Sequence, residues 1–388
     1  MNLGFDAKRA AQNTTGLGNY SRLMISILAR FGNDLKLNLY VPNSKKSQLL
    51  QRLPESGQIH IKFPQNKIAK LFPAIWRTFG ITSHLPKDDI QLYHGLSGEL
   101  PLNIQKARHT KKVVTIHDLL FLRFPQGYHF LDRMIYNFKF RHACKTADHI
   151  IAVSEFTKRE IIHYYHISEE KISVVYQGCD KTFRQPATEE TKQKVKEIYH
   201  LEQPYILYVG SIEKRKNLLL LARSLPKIAS GVKVIAVGRR TPYANEVEKY
   251  LDAQGLTNRM TLLSNVPFAH LPALYQMASV FVYPSRCEGF GIPLLEALCS
   301  GTPAIGCSGS CLEEAGGPNS AYVNPDDENS LAREINDILT NSQRREKMIA
   351  EGLHFAARFD EENIYNDLMD VYHSTLKMSP TRITSSEI

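Results

Sequence analysis

Short apolar runs alternate with helix-period patterns along nearly the whole chain, and this alternation constrains the fold more than any other feature. A strand followed by a crossover helix returns to pair in parallel, so a long series of this kind builds a parallel sheet with helices on its faces. The first half predicts strands at residues 2–6, 36–41, 58–63, 90–94, 112–117, 149–154 and 172–176, with helices over 17–31, 67–79, 131–144 and 155–165 between them. The series stops after Gly178. The segment CDKTFRQPATEETKQKVKEIYHLEQP is polar, holds no apolar strand, and reads as a linker with one short helix in its second part. A second series starts at residues 205–210 and continues through 232–238, 260–264, 280–284 and 304–306 to a final strand-like segment at 321–323. The expected architecture is therefore α/β, with two Rossmann-like domains facing a cleft. Residues 1–180 form the first, 181–204 the linker and 205–360 the second. At 388 residues the chain is long enough for two cores of ordinary size.

Composition excludes several classes. Hydrophobic residues make up 43% and charged residues 22%, as in folded proteins and unlike disordered ones. No apolar run approaches the ~20 residues needed to cross a bilayer. The N-terminal sequence reads directly into a strand, so cytoplasm is the expected compartment. The six cysteines form no CxxC pair, which argues against structural zinc and redox motifs and for buried, reduced thiols.

The net charge is +9, and the whole surplus lies in residues 1–180. Such a half suits an anionic partner, either a membrane surface or a phosphate-bearing acceptor; a merely solvated basic face is the alternative. The candidate patch joins Lys106, Arg108, Lys111 and Lys112 to Lys67, Lys70 and Arg77. The last three share a predicted helix with Leu71, Phe72, Ile75 and Trp76. That helix either packs its apolar side on the sheet or lies on a bilayer.

Chemistry is expected at strand-to-helix junctions, because ligands of parallel sheets sit at the carboxyl ends of strands. In VYPSRCEGFGIPLLEALCSG a strand ends and a loop follows with Glu288, Gly289, Phe290 and Gly291. Ile292 leads into a helix, with Pro293 in its first turn. Its N-terminus is an anion site. Glu296, one turn in, is placed to accept from ribose hydroxyls, and Glu288 from sugar hydroxyls. In YILYVGSIEKRKNL the strand breaks at Gly210 and delivers Arg215 and Lys216, a fork and a point charge suited to a diphosphate. Near the N-terminus, Gly16 and Gly18 in NTTGLGNY bring backbone amides to a strand end, and His117 closes the strand at 112–117.

These motifs together resemble the retaining glycosyltransferases of the GT-B fold, family four. The resemblance spans about residues 2–376, and the E-x7-E block at Glu288 and Glu296 in its GFGIPLLEA context is its most specific part. It implies that Lys216 and Arg215 hold a donor diphosphate, Glu296 the ribose, and Glu288 with the backbone of Gly289–Gly291 the transferred sugar. Gly16 would approach the diphosphate, His117 the sugar, and the backbone near Val266 the base. The terminal helix, about 361–377, would pack back on the first domain. Two departures stand out: Ser211 follows Gly210 where many members carry Arg, and Glu313 stands where proline is common.

The implied reaction transfers a hexose with retention from a nucleotide-sugar donor, GDP-mannose or UDP-glucose, to a glycan or lipid-linked acceptor of surface polysaccharide synthesis. Without a D-x-D loop or a clustered ligand set, no metal or other cofactor is expected. A sugar-nucleotide epimerase or a phosphorylase on the same fold is the competing enzyme reading. A nucleic-acid-binding role for the basic half lacks any RNP-like, helix-turn-helix or zinc-finger motif.

Overall fold

The computed structural model describes residues 1–202 and 204–378. The expected frayed tail, SPTRITSSEI, lies outside them, as does Gln203 of the expected linker. The chain divides into two compact units, Met1–Gln177 joined by the chain from Glu361, and Gly178–Asp360.

The first unit is built on seven parallel strands, β1 (Asn2–Asp6), β2 (Lys36–Tyr40), β3 (Ile59–Lys62), β4 (Leu92–Gly95), β5 (Lys111–Ile116), β6 (His149–Ala152) and β7 (Ile172–Val174), in the order β3-β2-β1-β4-β5-β6-β7. The pleat sends alternate residues to opposite faces. Leu3 and Phe5 of β1, Leu37 and Leu39 of β2 and Val113 of β5 enter one core. Tyr40, Tyr93, Val114 and Ile116 enter the other. Helix Gly16–Phe31 covers the first of these faces, and the terminal helix Glu361–Lys377 lies beside it, burying Ile364, Leu368, Val371 and Tyr372 in the same core. At ~1.5–3 kcal/mol per fully buried apolar side chain, those four contribute roughly 6–12 kcal/mol before the entropy of ordering the helix is charged against them.

The second unit repeats the scheme with β8 (Tyr205–Val209), β9 (Lys233–Val237), β10 (Met260–Leu263), β11 (Val280–Tyr283), β12 (Ala304–Cys307) and β13 (Ala321–Val323), in the order β10-β9-β8-β11-β12-β13. In both sheets the order reverses beside the first strand, between β1 and β4 and between β8 and β11. Such a reversal opens a crevice at the carboxyl ends of the strands.

Two expectations need revision. The polar stretch read as a linker does not stand apart from the second unit. Its helix, Glu189–Ile198, packs on helix Leu271–Met277, and Gln276 accepts from the Ala187 amide at 2.8 Å and donates to the Gln185 carbonyl at 2.8 Å. The single helix expected at 67–79 is broken into Lys67–Leu71, Pro73–Ile75 and Trp76–Gly80. Pro73 has no amide to donate, and its ring clashes with a continuing helical turn.

Candidate functional site

At the carboxyl end of β8 the chain turns through Gly210 and the short 3-10 helix Lys214–Lys216. Gly210 allows a close approach: a Cβ there would lie 3.1 Å from Lys216 Nζ and 3.3 Å from the Tyr283 ring. Lys216 therefore folds back over the end of its own strand, with Nζ 5.4 Å from the Tyr283 ring centroid. Asn217 ends the turn in the left-handed region (φ 57°) and donates from Nδ2 to the Pro325 carbonyl at 2.8 Å. Asparagine tolerates this conformation better than most residues.

Across the reversal point, β11 ends at Tyr283 and the loop to helix Ile292–Cys299 carries Glu288. Its Oε1 accepts from the Tyr283 hydroxyl at 2.9 Å and the Ser285 hydroxyl at 2.7 Å, and it pairs with Arg215 at 2.7 Å. Burial pushes this carboxyl up, but Lys216 and then Arg215 outweigh burial and hold it below the usual range. Glu288 is thus an anion at neutral pH. Arg215 also binds Glu213 at 2.7 Å and the Cys287 carbonyl. Burial works against its charge, and Glu288 more than offsets that, so its pKa is raised.

Helix Ile292–Cys299 starts from Gly291 at φ 117°, a conformation reserved for glycine. A Cβ there would also stand 2.8 Å from Leu312. The amides of Gly291 and Ile292 find no acceptor among the described residues, as expected of a helix N-terminus. Pro293 occupies the first turn. Glu296 Oε2 accepts from the Tyr275 hydroxyl at 2.9 Å. Burial, helped by Asp180 and opposed by the Tyr275 hydrogen bond and Lys216, raises its pKa to about 7. Both glutamates keep one carboxylate oxygen, Glu288 Oε2 and Glu296 Oε1, without a hydrogen bond among the described residues.

Lys216, Arg215, Glu288, Glu296 and the helix start at Gly291 and Ile292 are therefore one cluster at the crevice of the second sheet. Phe290 is part of its support, not its surface: it is buried against Phe359, with ring centroids 5.5 Å apart. Gly289 lies in the loop beside it, half-buried, and Val266 is half-buried just beyond β10.

In the first unit, His117 follows β5 and is almost fully buried. Its Nε2 lies 2.9 Å from the Leu96 carbonyl, so that nitrogen carries the proton; Nδ1 faces Gln177 Nε2 at 3.4 Å, and the Tyr20 ring abuts it edge-on at 4.5 Å. Burial lowers its pKa to about 4 against the pull of the Leu96 carbonyl. His117 is a neutral hydrogen-bonding group, not an acid. Gly18, in the first turn of helix Gly16–Phe31, is glycine for a packing reason: a Cβ would fall 1.9 Å from the Asn13 carbonyl oxygen, and its amide already donates to the Thr15 carbonyl at 2.9 Å. Gly16 is exposed with open space around it. Of the two glycines, Gly16 alone keeps an amide free of partners among the described residues.

Tyr283, Ser285 and Tyr275, which fix the two glutamates, were not among the expected site residues. Tyr283 had a local signal, a hydroxyl-bearing ring at a strand end five residues before Glu288. Tyr275 comes from a separate helix and had none.

Two α/β units, the second with cations and carboxylates gathered at its sheet's crevice, are the setting in which comparison with known proteins becomes informative, and those comparisons identify a glycosyltransferase. The model of glycosyl transferases group 1 matches residues 189–355 and that of glycosyltransferase family 4 matches 15–183. The chain is 30% identical over 286 residues to the O-antigen chain mannosyltransferase B of Escherichia coli, covering 72% of this chain and 74% of that one. It is 30% identical over 253 residues to the O-antigen chain mannosyltransferase RfbU of Salmonella typhimurium, covering 65% and 67%. The solved structure of Anabaena Alr3699/HepE in complex with UDP-glucose superposes with a TM-score of 0.74 at 18% identity, over 96% of this chain and 99% of that one. The chain belongs to the GT-B glycosyltransferases of family 4.

Proposed function

We propose that this glycosyltransferase moves mannose, with retention of anomeric configuration, from GDP-mannose to a growing surface polysaccharide or its lipid-linked precursor. The observation that carries the reading is the pair of open carboxylate oxygens beside Lys216 and a helix N-terminus: hydroxyl acceptors and diphosphate donors occur side by side, as a nucleotide sugar requires. The relatives named as mannosyltransferases favour mannose over the glucose held in the Anabaena structure, because they share more of the sequence.

In this reading Lys216 and the amides of Gly291 and Ile292 bind the diphosphate and stabilise the charge that develops on it as the glycosidic bond breaks. Glu296 accepts from the ribose. Glu288, ionised, accepts from a sugar hydroxyl and stabilises an oxocarbenium-like transition state. Arg215 positions Glu288. His117 contributes a neutral hydrogen bond to the sugar, and Gly16 an amide to the diphosphate. No metal is required, since cations of the chain supply the countercharge.

The test is a panel of nucleotide sugars in a thermal-shift assay, followed by transfer to a glycan acceptor in excess EDTA with NMR of the product anomer. GDP-mannose should stabilise most and give product of the donor's configuration. An inverted product, activity restored only by Mg²⁺ or Mn²⁺, or no response to any nucleoside diphosphate would refute the corresponding part. Donor consumption without acceptor would point to the epimerase reading.

A further inference from the structure

Two helical runs in the first unit turn their apolar stripes toward water. Over residues 67–80, Ile68, Leu71, Phe72, Ile75 and Phe79 recur at helical spacing and are all exposed, Ile68 and Leu71 by more than 70%. On helix Phe130–Thr146, Leu131, Met134, Ile135 and Phe138 sit at i, i+3, i+4 and i+7, and each is more than half exposed. Such a stripe ordinarily faces a core. Here the core takes Ala143 and Cys144 near the end of that helix, with Phe140 partly buried against it and Tyr136 against Phe121. Scattered exposed apolar residues need no explanation, but two contiguous stripes do.

The two runs are neighbours. Arg77 in the first run and Lys139 in the second both pair with Glu99, at 2.8 and 3.1 Å. Arg77 also grips Asp6, at the end of β1, at 2.5 Å. The surface is thereby tied to the carboxyl edge of the first sheet, the same edge at which β5 delivers His117.

Its charge is one-sided. Lys67, Lys70 and Arg141 are exposed around the stripes, and within residues 67–80 and 128–146 Asp132 is the one acidic residue. We infer that this surface docks on an anionic lipid bilayer, with the apolar stripes in the headgroup boundary and the basic side chains on lipid phosphates. A second copy of the chain is the poorer occupant, because a self-complementary contact would bring the same basic rims together. The sequence offers the helix expected at 67–79 as one bilayer-facing alternative; the second stripe and its exposure come from the structure. Docking here would bring a lipid-anchored acceptor to the edge that carries His117. Docking itself does not depend on which donor the second unit binds.

The experiment is co-sedimentation of the full chain with phosphatidylcholine vesicles, with and without phosphatidylglycerol, at low and high salt and without donor. Wild type should bind the anionic vesicles, less at high salt. Lys67→Glu with Lys70→Glu should lose roughly 30-fold or more of that binding, from about 1 kcal/mol per basic residue near the surface. Leu71→Ser with Leu131→Ser and Phe138→Ser should lose binding at every salt concentration. Both variants alter exposed positions, so unchanged melting should accompany the loss. No binding by wild type, equal binding by the variants, or a wild-type dimer that the apolar variant dissociates would overturn the proposal. Because no donor is present, none of these outcomes bears on the transferase reading.

Discussion

Replacing Glu296 with glutamine should make the protein more stable at alkaline pH and worse at holding its donor. Glu296 sits against Tyr275 with its pKa raised from 4.5 to about 7, chiefly by burial. A carboxyl whose folded pKa stands above its unfolded value contributes fully below the unfolded pKa, and that contribution is lost as pH rises through the folded one. The window therefore runs from about pH 4.5 to just above 7. The raised value corresponds to on the order of 3 kcal/mol against folding once Glu296 is ionised. Glutamine cannot ionise and still accepts from Tyr275. At pH 8 the Glu296→Gln variant should melt roughly 6–12 °C higher for a unit of this size, and at pH 4 the two melts should converge. Donor affinity should fall roughly tenfold or more, because a charged acceptor for ribose hydroxyls becomes neutral. Calorimetric melts across pH with titration of nucleoside diphosphate read both effects. A constant difference between the variants at every pH would refute the burial argument, and unchanged donor affinity would refute the ribose assignment.

Lys216→Ala should weaken nucleoside diphosphate binding by about 2 kcal/mol, roughly 30-fold, in isothermal titration; unchanged affinity would remove Lys216 from the diphosphate. Arg215→Ala leaves the Glu288 anion without its closest cation and should cost about 3–5 kcal/mol of stability. In a denaturant titration the double variant with Glu288→Gln should recover part of that loss, and strict additivity would show that the pair does not interact. Gly18→Ala should destabilise by at least about 1 kcal/mol, since its Cβ would overlap the Asn13 carbonyl; a wild-type melting temperature would refute the packing reason for glycine there.

The sequence alone determined the architecture, because strand and helix periods and turn residues are local properties: the thirteen-strand series is legible in the alternation, with strand ends displaced by at most two residues. It also marked the strand ends at which the candidate site gathers. Glu288, Lys216 and Gly291 each lie within a few residues of a break that composition marks.

Tertiary structure decided what those residues are. Arg215 became the partner of Glu288, and Glu296 acquired a pKa near neutrality through burial, against the Tyr275 hydrogen bond. His117 became neutral because its burial outweighs the pull of the Leu96 carbonyl. The placement of the terminal helix on the first unit's core and the exposure of the stripe on helix Phe130–Thr146 were decided at the same level. An apolar stripe of period 3.6 records that a helix has one apolar face. Whether protein or water lies against that face depends on residues distant in the chain, as do the desolvation and charge that set a buried group's protonation.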